Sequence, residues 1–222
     1  MPTALIIGAS RGIGLELVRQ YLADGWRVIA TARAEADCKR LAGMHAHSYQ
    51  LDVTSADSIA ALGWNLDGEI IDAAFLNAGQ FGPRHDGFPT QQEFDSVMHT
   101  NVLAAMRLLP VIAPMTVPVR GKLAVLSSIM GSIGQRAGAD ATLYRASKAA
   151  LNSVLMDTAI KFGPQGVTCV AFHPGWVKTD MGGEGAEIEV DVSVRGLRAT
   201  LALAGPAANG TFLNYDGTPI AW

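Results

Sequence analysis

A tyrosine and a lysine stand one helical turn apart in the segment "YRASKAALN", residues 144–152. Tyr144 and Lys148 are flanked by alanine and leucine, which favour a helix. Side chains at positions i and i+4 of a helix lie on the same face, so the phenol and the ammonium group would be neighbours. Such a pair is either an ordinary surface contact or a catalytic acid beside a cation that tunes it.

Reduction of a carbonyl group is a reaction that needs this pair of groups. Addition of hydride to the carbonyl carbon leaves a developing alkoxide, which requires a proton and a hydrogen-bond donor. A tyrosine with its ordinary pKa of about 10 is a slow acid or base near neutrality. A nearby cation favours the phenolate, so we expect Lys148 to lower the pKa of Tyr144.

A glycine-rich segment, "GASRGIG" at residues 8–14, directly follows an apolar run and precedes a helical pattern. Gly8, Gly12 and Gly14 have the spacing G-x-x-x-G-x-G. Glycines let the backbone turn sharply and approach a pyrophosphate, whose charge then faces a helix N-terminus. A purely structural turn is the alternative, but the order strand, turn, helix favours a dinucleotide site.

Cations rather than a carboxylate stand where the adenosine ribose of the dinucleotide would bind. A carboxylate near the end of the second strand would bind a free 2′-hydroxyl. This chain has Ala32 and then Arg33 there, and Arg11 lies inside the glycine-rich segment. Two guanidinium groups can clamp a 2′-phosphate, so the sequence predicts NADPH rather than NADH. In the alternative interpretation Arg33 is simply solvated.

Alternating apolar runs and helical periodicities predict the framework that positions these residues. Helical patterns cover residues 13–22, 91–112, 143–162 and 190–204. Pro110 and Pro114 are expected to terminate or bend the second of these helices. The predicted strands are 3–8, 26–32, 47–53, 70–79, 122–128, 167–173 and 211–215.

Strands that are apolar on both faces and separated by helices indicate a parallel sheet covered on both sides. The fold class predicted for this chain is therefore α/β, with a single doubly wound, Rossmann-like sheet. The chain of 222 residues is expected to form one domain over residues 1–222. Three stretches with little predicted structure, residues 80–90, 129–142 and 180–190, follow strands at their carboxyl ends. This edge is where ligands bind in open α/β sheets.

Composition argues against several classes of function. A net charge of -3 gives no basic field for nucleic acid. No unbroken apolar stretch of about 18 residues predicts a membrane span, and the N-terminal segment does not resemble a signal peptide. The five histidines, and Cys38 and Cys169, show no ligand spacing, so no metal is expected. Reduced cysteines and the absence of a leader predict a cytoplasmic protein.

Six motifs occur in the order and approximate spacing of the short-chain dehydrogenases/reductases, and the chain resembles this family over nearly its whole length. The stretches "PGWVKTDMGGEGA" and "GTFLNYDGTPIAW" resemble the short, carbonyl-reductase-like branch that includes the sniffer and C-factor proteins. The six motifs are "GASRGIG" (8–14), "LNAG" (76–79), Asn101 in "HTNVLA", "LSSIMG" (126–131), "YRASK" (144–148) and "HPGWVKTDM" (173–181).

The resemblance implies a catalytic set. Tyr144 would be the general acid and Lys148 its partner, which also holds the nicotinamide ribose. Ser128 matches the serine that orients the carbonyl, because it is the second serine of S-S-x-x-G, and Ser127 is the competing candidate. Asn101 matches the residue that supports a water and proton relay behind the lysine.

The resemblance also implies the contacts of the cofactor. Asp52 and Val53 would flank the adenine, and the "NAG" of residues 77–79 would lie under the adenosine side. The full set of implied cofactor contacts is Gly8, Ser10, Arg11, Gly12, Ile13, Gly14, Arg33, Asp52, Val53, Asn77, Ala78, Gly79, Tyr144, Lys148, Pro174, Gly175, Trp176, Val177 and Thr179.

The function that these observations predict is NADPH-dependent reduction of a small or apolar ketone or aldehyde. Residues 129–143 are expected to form a loop over the substrate pocket, and the glycine-containing segment 180–190 a mobile lid. The alternative is a dinucleotide-binding signalling or regulatory protein with weak or no turnover. An epimerase or dehydratase of similar fold would need a longer C-terminal substrate domain. Helices 91–112 and 143–162 are where this family commonly associates, which implies a homodimer or homotetramer.

Overall fold

Seven parallel strands form one sheet in the computed structural model, which describes residues 1–85 and 87–222. The order of the strands is β3-β2-β1-β4-β5-β6-β7. This arrangement confirms the predicted α/β fold class with a doubly wound sheet. The strands are β1 Thr3–Ile7, β2 Arg27–Ala32, β3 His47–Gln50, β4 Ala73–Leu76, β5 Lys122–Leu126, β6 Thr168–His173 and β7 Thr211–Asn214.

The strands end earlier than their apolar runs predict, because the chain turns away to build loops at the carboxyl edge. The predicted strand 70–79 shows this best, since only Ala73–Leu76 pairs in the sheet. The backbone N–H groups of Asn77 and Ala78 both donate to the carbonyl of Ile7, at 3.0 Å each. Two successive donors on one acceptor mark the end of the regular ladder.

Seven α-helices cover the two faces of the sheet. Leu5 and Ile7 point into one apolar layer, and the alternate residues Ala4 and Ile6 point into the other. The first layer also contains side chains of α3, α5 and α6, and the second contains those of α1, α2 and α7. The helices are α1 Gly12–Ala23, α2 Glu35–Gly43, α3 Ala56–Asn65, α4 Gln91–Met98, α5 Ala104–Thr116, α6 Thr142–Phe162 and α7 Val190–Leu203.

The helix predicted over 91–112 continues through both of its prolines, so its expected termination there is wrong. Helices α4 and α5 are joined by a π-helical turn, His99–Leu103, and Pro110 and Pro114 lie inside α5. A proline inside a helix costs about 3 kcal/mol. Burial of a side chain such as Leu109 or Ile112 contributes about 1.5–3 kcal/mol, and α5 buries several of them. Packing on the sheet therefore outweighs the lost hydrogen bonds.

This continuous helical segment, Gln91–Val119, is long and apolar enough to cross a membrane by length and composition alone. Its most apolar window has a mean hydropathy of 1.8, and 44% of that window is buried inside the protein. The buried part packs against the sheet and α6. Core helices of globular proteins have the same character, so the absence of a membrane span stays a prediction, as does self-association through this helix and α6.

Candidate active site

The four residues of the implied catalytic set meet at the carboxyl edge of the sheet. Tyr144 and Lys148 lie in α6, Ser128 follows β5, and Asn101 lies in the π-helical turn. The Nζ atom of Lys148 is 5.7 Å from the centre of the Tyr144 ring. A Cβ atom added at Gly79 would lie 3.3 Å from Oδ1 of Asn101 and 3.4 Å from Nζ of Lys148. The loop after β4 therefore contacts both of these groups.

The two adjacent serines point to different partners. The Ser128 hydroxyl lies near that of Tyr144 and acts to lower the pKa of the phenol, and it accepts from the N–H of Met130 at 3.2 Å. Ser127 donates instead to Oδ1 of Asn152 at 2.6 Å. Of the two candidates, it is Ser128 that the structure brings to the phenol.

Burial governs the protonation of the tyrosine and the lysine. Desolvation raises the pKa of Tyr144 to about 12, against the opposing effect of the Ser128 hydrogen bond. Complete burial lowers the pKa of Lys148 to about 8, and its Nζ donates to the carbonyl of Leu126 at 2.7 Å. The expected lowering of the Tyr144 pKa by Lys148 is therefore wrong. Tyr144 keeps its proton at neutral pH, as a proton donor requires.

Asn101 uses its side chain to connect two segments of the site. Its Oδ1 accepts from the N–H of Gln80 at 2.9 Å, and its Nδ2 donates to the carbonyl of Gln80 at 2.8 Å. Nδ2 also donates to the hydroxyl of Ser147 at 2.9 Å, which in turn donates to the carbonyl of Tyr144 at 2.8 Å. Asn101 thus fixes the loop after β4 against the first turn of α6. The sequence analysis missed Ser147, which looks like any other small helical residue.

The glycine-rich segment forms a tight cradle between β1 and α1. Gly8 and Gly12 have φ values of +86° and +52°, which favour glycine. A Cβ atom at Gly14 would lie 2.1 Å from the carbonyl oxygen of Gly8 and 2.6 Å from Nδ2 of Asn77. Helix α1 has no side-chain cap and no acidic residue in its first turn. Its first N–H groups and its dipole therefore fit the pyrophosphate of a dinucleotide.

Two arginines, Arg33 and Arg40, lie at the adenosine end of the cradle, and of these only Arg33 was predicted there. Arg33 is exposed just beyond β2 and faces Asp52, whose pKa is lowered by hydrogen bonds from Thr54 and further by the charge of Arg33. Arg40, on α2, donates to the carbonyl of Ser10. The sequence analysis missed Arg40 because α2 has few apolar residues and was not delimited.

Arg11 forms an ion pair in the structure, and its predicted contact with a 2′-phosphate stays a prediction. Its Nη1 bonds to Oδ2 of Asp180 at 2.8 Å, and both side chains are exposed. This ion pair connects the glycine-rich segment to the segment 180–190.

The segment after β6 carries the residues predicted at the nicotinamide end. Gly175 has a φ of +85°, and the carbonyl of Pro174 accepts from the hydroxyl of Ser193 at 2.6 Å. Val177 forms an isolated bridge with Ile188, so the chain doubles back on itself.

The segment 180–190, predicted as a lid, accepts hydrogen bonds from side chains of two neighbouring segments. The indole N–H of Trp176 donates to the carbonyl of Gly182 at 2.8 Å. Arg84, from the loop after β4, donates to the carbonyl of Met181 at 2.7 Å. The segment therefore lies over the site, and its mobility stays a prediction.

The loop predicted over 129–143 begins with a short 3-10 turn, Ile129–Gly131, and is then fixed by residues from the end of the sequence. The hydroxyl of Ser132 donates to the carbonyl of Ala221 at 2.6 Å. The N–H of Gly134 donates to the carbonyl of Trp222 at 2.8 Å, and the Trp222 ring stacks on Phe212 of β7 at 5.5 Å. No local sequence pattern predicts these contacts.

Comparisons with known proteins agree with this fold. A family model described as short chain dehydrogenase matches residues 2–189. The carbonyl reductase Sniffer of D. melanogaster is 30% identical, with a TM-score of 0.90 and 100% of both chains covered. NADPH-bound carbonyl reductase from chicken fatty liver is 32% identical, with a TM-score of 0.89, over 100% of this chain and 99% of that one. The C-signal protein of Myxococcus xanthus is 39% identical over 101 residues, which are 46% of this chain and 61% of C-signal.

The chain belongs to the short-chain dehydrogenase family. It is an NAD(P)-dependent oxidoreductase of this family, and its similarity to Sniffer and C-signal confirms the sniffer and C-factor-like branch predicted from the motifs.

Replacing Gly14 with alanine tests the packing of the cradle. The new methyl group has no space between the Gly8 carbonyl and Asn77, so we expect a loss of about 2–3 kcal/mol of unfolding free energy and weaker dinucleotide binding. Gly43→Ala is the matched control, because a Cβ atom at Gly43 in α2 meets nothing within 4 Å. We expect this control to be neutral or slightly stabilising. Urea unfolding and cofactor titration of both variants measure these effects, and equal stability of the two variants would contradict the cradle packing.

Burial of the Lys148 cation predicts a pH-dependent stability. The lysine has a pKa of about 8 in the folded protein and an ordinary pKa of 10.5, so the unfolded chain binds more protons between these pH values. The folded protein carries the full cost of the buried cation below pH 8 and loses that cost as pH rises toward 10.5. Relative to the parent protein, Lys148→Met should be more stabilising at pH 7 than at pH 10.5, by about 3 kcal/mol. Urea unfolding at both pH values measures the difference, and a constant difference would contradict the buried charge.

Proposed function

We propose that the protein reduces a ketone or aldehyde to an alcohol with NADPH, in a single dinucleotide-binding and catalytic domain over residues 1–222. The observation that carries this proposal is the buried Tyr144 hydroxyl, which lies near the Ser128 hydroxyl and the buried ammonium group of Lys148. The reduced nicotinamide supplies the hydride when it is bound.

Each residue of the set then has a role toward the carbonyl oxygen. Ser128 donates a hydrogen bond that orients this oxygen, and Tyr144 transfers its proton as negative charge develops there. A pKa of about 12 keeps the phenol protonated across the physiological range, so that it can donate its proton. Lys148 holds the nicotinamide ribose. Asn101 holds the loop after β4 against α6 and supports the relay that returns a proton to Tyr144.

Arginines at the adenosine end support NADPH as the cofactor. Arg33 is exposed just beyond β2, and Arg40 donates to the carbonyl of Ser10 in the glycine-rich segment. The NADPH-bound carbonyl reductase from chicken fatty liver has the same fold over 99% of its chain. Charge-assisted hydrogen bonds to a phosphate are about twice as strong as neutral ones. No carboxylate stands at positions 32 or 33 to bind a free 2′-hydroxyl instead.

Apolar side chains around the site support an apolar substrate. Phe81 stacks on Tyr144, and Ile129, Ile133 and Trp176 on the surrounding loops are exposed. Exposed apolar side chains on the loops next to a site favour an apolar ligand.

Removal of the phenolic hydroxyl tests the catalytic role. We expect Tyr144→Phe to lose at least about a thousandfold in kcat across a panel of ketones and aldehydes, because the proton donor is gone. Binding of NADPH should change little, since the ring remains. Tyr21→Phe is the matched control, because Tyr21 is equally buried but lies on α1 against Arg198. Full turnover by Tyr144→Phe would contradict the proposal. A parent protein that binds NADPH but reduces no carbonyl of the panel would favour the signalling or regulatory alternative.

Loss of the two arginines tests the cofactor. Arg33→Ala and Arg40→Ala should each weaken NADPH binding about tenfold or more, and should change NADH binding far less, because NADH has no 2′-phosphate. The exposed Arg19 on α1, which pairs with Glu16, provides the control variant Arg19→Ala. Fluorescence titration with both cofactors measures these affinities. Tighter binding of NADH than NADPH by the parent protein would overturn the assignment.

A further inference from the structure

A column of three stacked side chains connects the candidate catalytic phenol to the protein surface. The Phe81 ring lies on the Tyr144 ring, with 4.6 Å between the ring centres and 28° between the planes. The guanidinium carbon of Arg84 lies 4.7 Å from the centre of the Phe81 ring. Phe81 and Arg84 both belong to the loop after β4, and neither is part of the implied catalytic or cofactor-binding set.

Arg84 lies where two loops of the site meet. Its side chain is exposed, and one of its Nη atoms donates to the carbonyl of Met181 in the segment 180–190. Within residues 1–85 and 87–222, no carboxylate oxygen lies within 4.0 Å of its guanidinium nitrogens. Two acidic groups on the flanking segments already have partners, since Asp180 pairs with Arg11 and Glu93 with His85.

The contact with Phe81 positions the guanidinium group of Arg84 to bind a ligand. The guanidinium group is planar by delocalisation, so its N–H donors lie in one plane, and the contact with the Phe81 ring restricts where this plane can lie. One N–H is used by Met181, and a guanidinium group has five. A carboxylate in that plane can accept two parallel N–H bonds, which are the geometry that arginine binds best.

We propose that Arg84 selects substrates in which the reactive carbonyl is joined, through an aromatic or acyl arm, to a carboxylate. This inference rests on the proposed carbonyl reduction. The carbonyl oxygen binds between Tyr144 and Ser128, the arm lies along Phe81, and the carboxylate binds the edge of Arg84. Phe81 separates the two polar ends, so a simple 2-oxo acid, with its carboxylate next to the carbonyl, does not reach both.

Two probe compounds separate the charge from the rest of the substrate. They are 4-formylbenzoate and its methyl ester, which share the aldehyde and the aromatic arm and differ in the carboxylate. The measured quantity is the ratio of kcat/KM for the acid to kcat/KM for the ester, compared between the parent protein and variants. Differences in intrinsic reactivity of the two aldehydes cancel in that comparison.

Arg84→Gln is the informative variant, because glutamine keeps a planar amide and an N–H donor for Met181 and removes the charge. We expect the acid-to-ester ratio to fall about tenfold or more, mainly through KM for the acid. Arg84→Lys should retain part of the preference, since lysine keeps the charge without the planar fork. Lys161→Ala is the matched control. Lys161 also lies over a phenylalanine ring, with its Nζ 5.4 Å from the ring centre of Phe162, but at the far end of α6. This control should leave the ratio as in the parent protein.

The possible outcomes distinguish this inference from the proposed function. Reduction of both compounds with a ratio that Arg84→Gln does not change overturns the role of Arg84 and leaves carbonyl reduction standing. An equal loss for acid and ester in Arg84→Gln assigns the residue to loop structure and also overturns the role. Reduction of neither compound, nor of any other carbonyl, by the parent protein overturns both proposals. A selective loss for the acid, together with weaker preference at high salt, supports the inference.

Discussion

Burial of one ammonium group is the constraint on which the site depends. Lys148 is fully enclosed, and its Nζ donates to the backbone carbonyl of Leu126. Glycine is needed on the neighbouring loops, because a Cβ atom at Gly131 would lie 2.9 Å from the Lys148 backbone and one at Gly79 would crowd Nζ. The cost of desolvating the cation is visible in its lowered pKa. The parallel sheet and its two apolar layers supply the stability that this buried charge removes.

The same burial shifts the pKa values of the two titratable groups in opposite directions, because it disfavours the charged form of each. It removes the charged form of Lys148 at moderately alkaline pH and suppresses the charged form of Tyr144 throughout the physiological range. A phenol that stays protonated is ready to donate, and a lysine near its own pKa is responsive to any charge placed beside it. The protonation of both groups therefore follows from how deeply this part of α6 is packed.

Local sequence predicted the parts of this protein that depend on local structure. The fold class followed from alternating apolar periods, and the cradle from glycine spacing between β1 and α1. Features that depend on tertiary contacts could not be predicted from local sequence. Ser127 and Ser128 are chemically identical, and it is Asn152, further along the chain in α6, that accepts a hydrogen bond from Ser127. The pKa direction of Tyr144 failed for the same reason, since spacing reveals a neighbour and not the depth of burial.

The wrong predictions about individual helices and residues also have specific physical causes. Helix α5 passes through Pro110 because its apolar face is buried on the sheet, a tertiary effect that overrides the local preference of proline. Arg40 was missed because α2 buries only Cys38 and Leu41 and so has a weak period. Residues whose partners lie far along the chain, such as Arg84 with Met181, have no signature in sequence at all.

The attachment of the substrate loop to Ala221 and Trp222 sets an order of assembly. The cradle is complete once β4 has been made, because Asn77 supplies its last hydrogen bond, to Gly8. The loop that begins at Ile129 acquires its anchors only after β7 and the residues beyond it have emerged. During synthesis, the residues that close the glycine-rich cradle are therefore made well before those that anchor the substrate loop. A chain that lacked its last few residues would keep the hydrogen bond from Asn77 to Gly8 and lose both anchors of this loop.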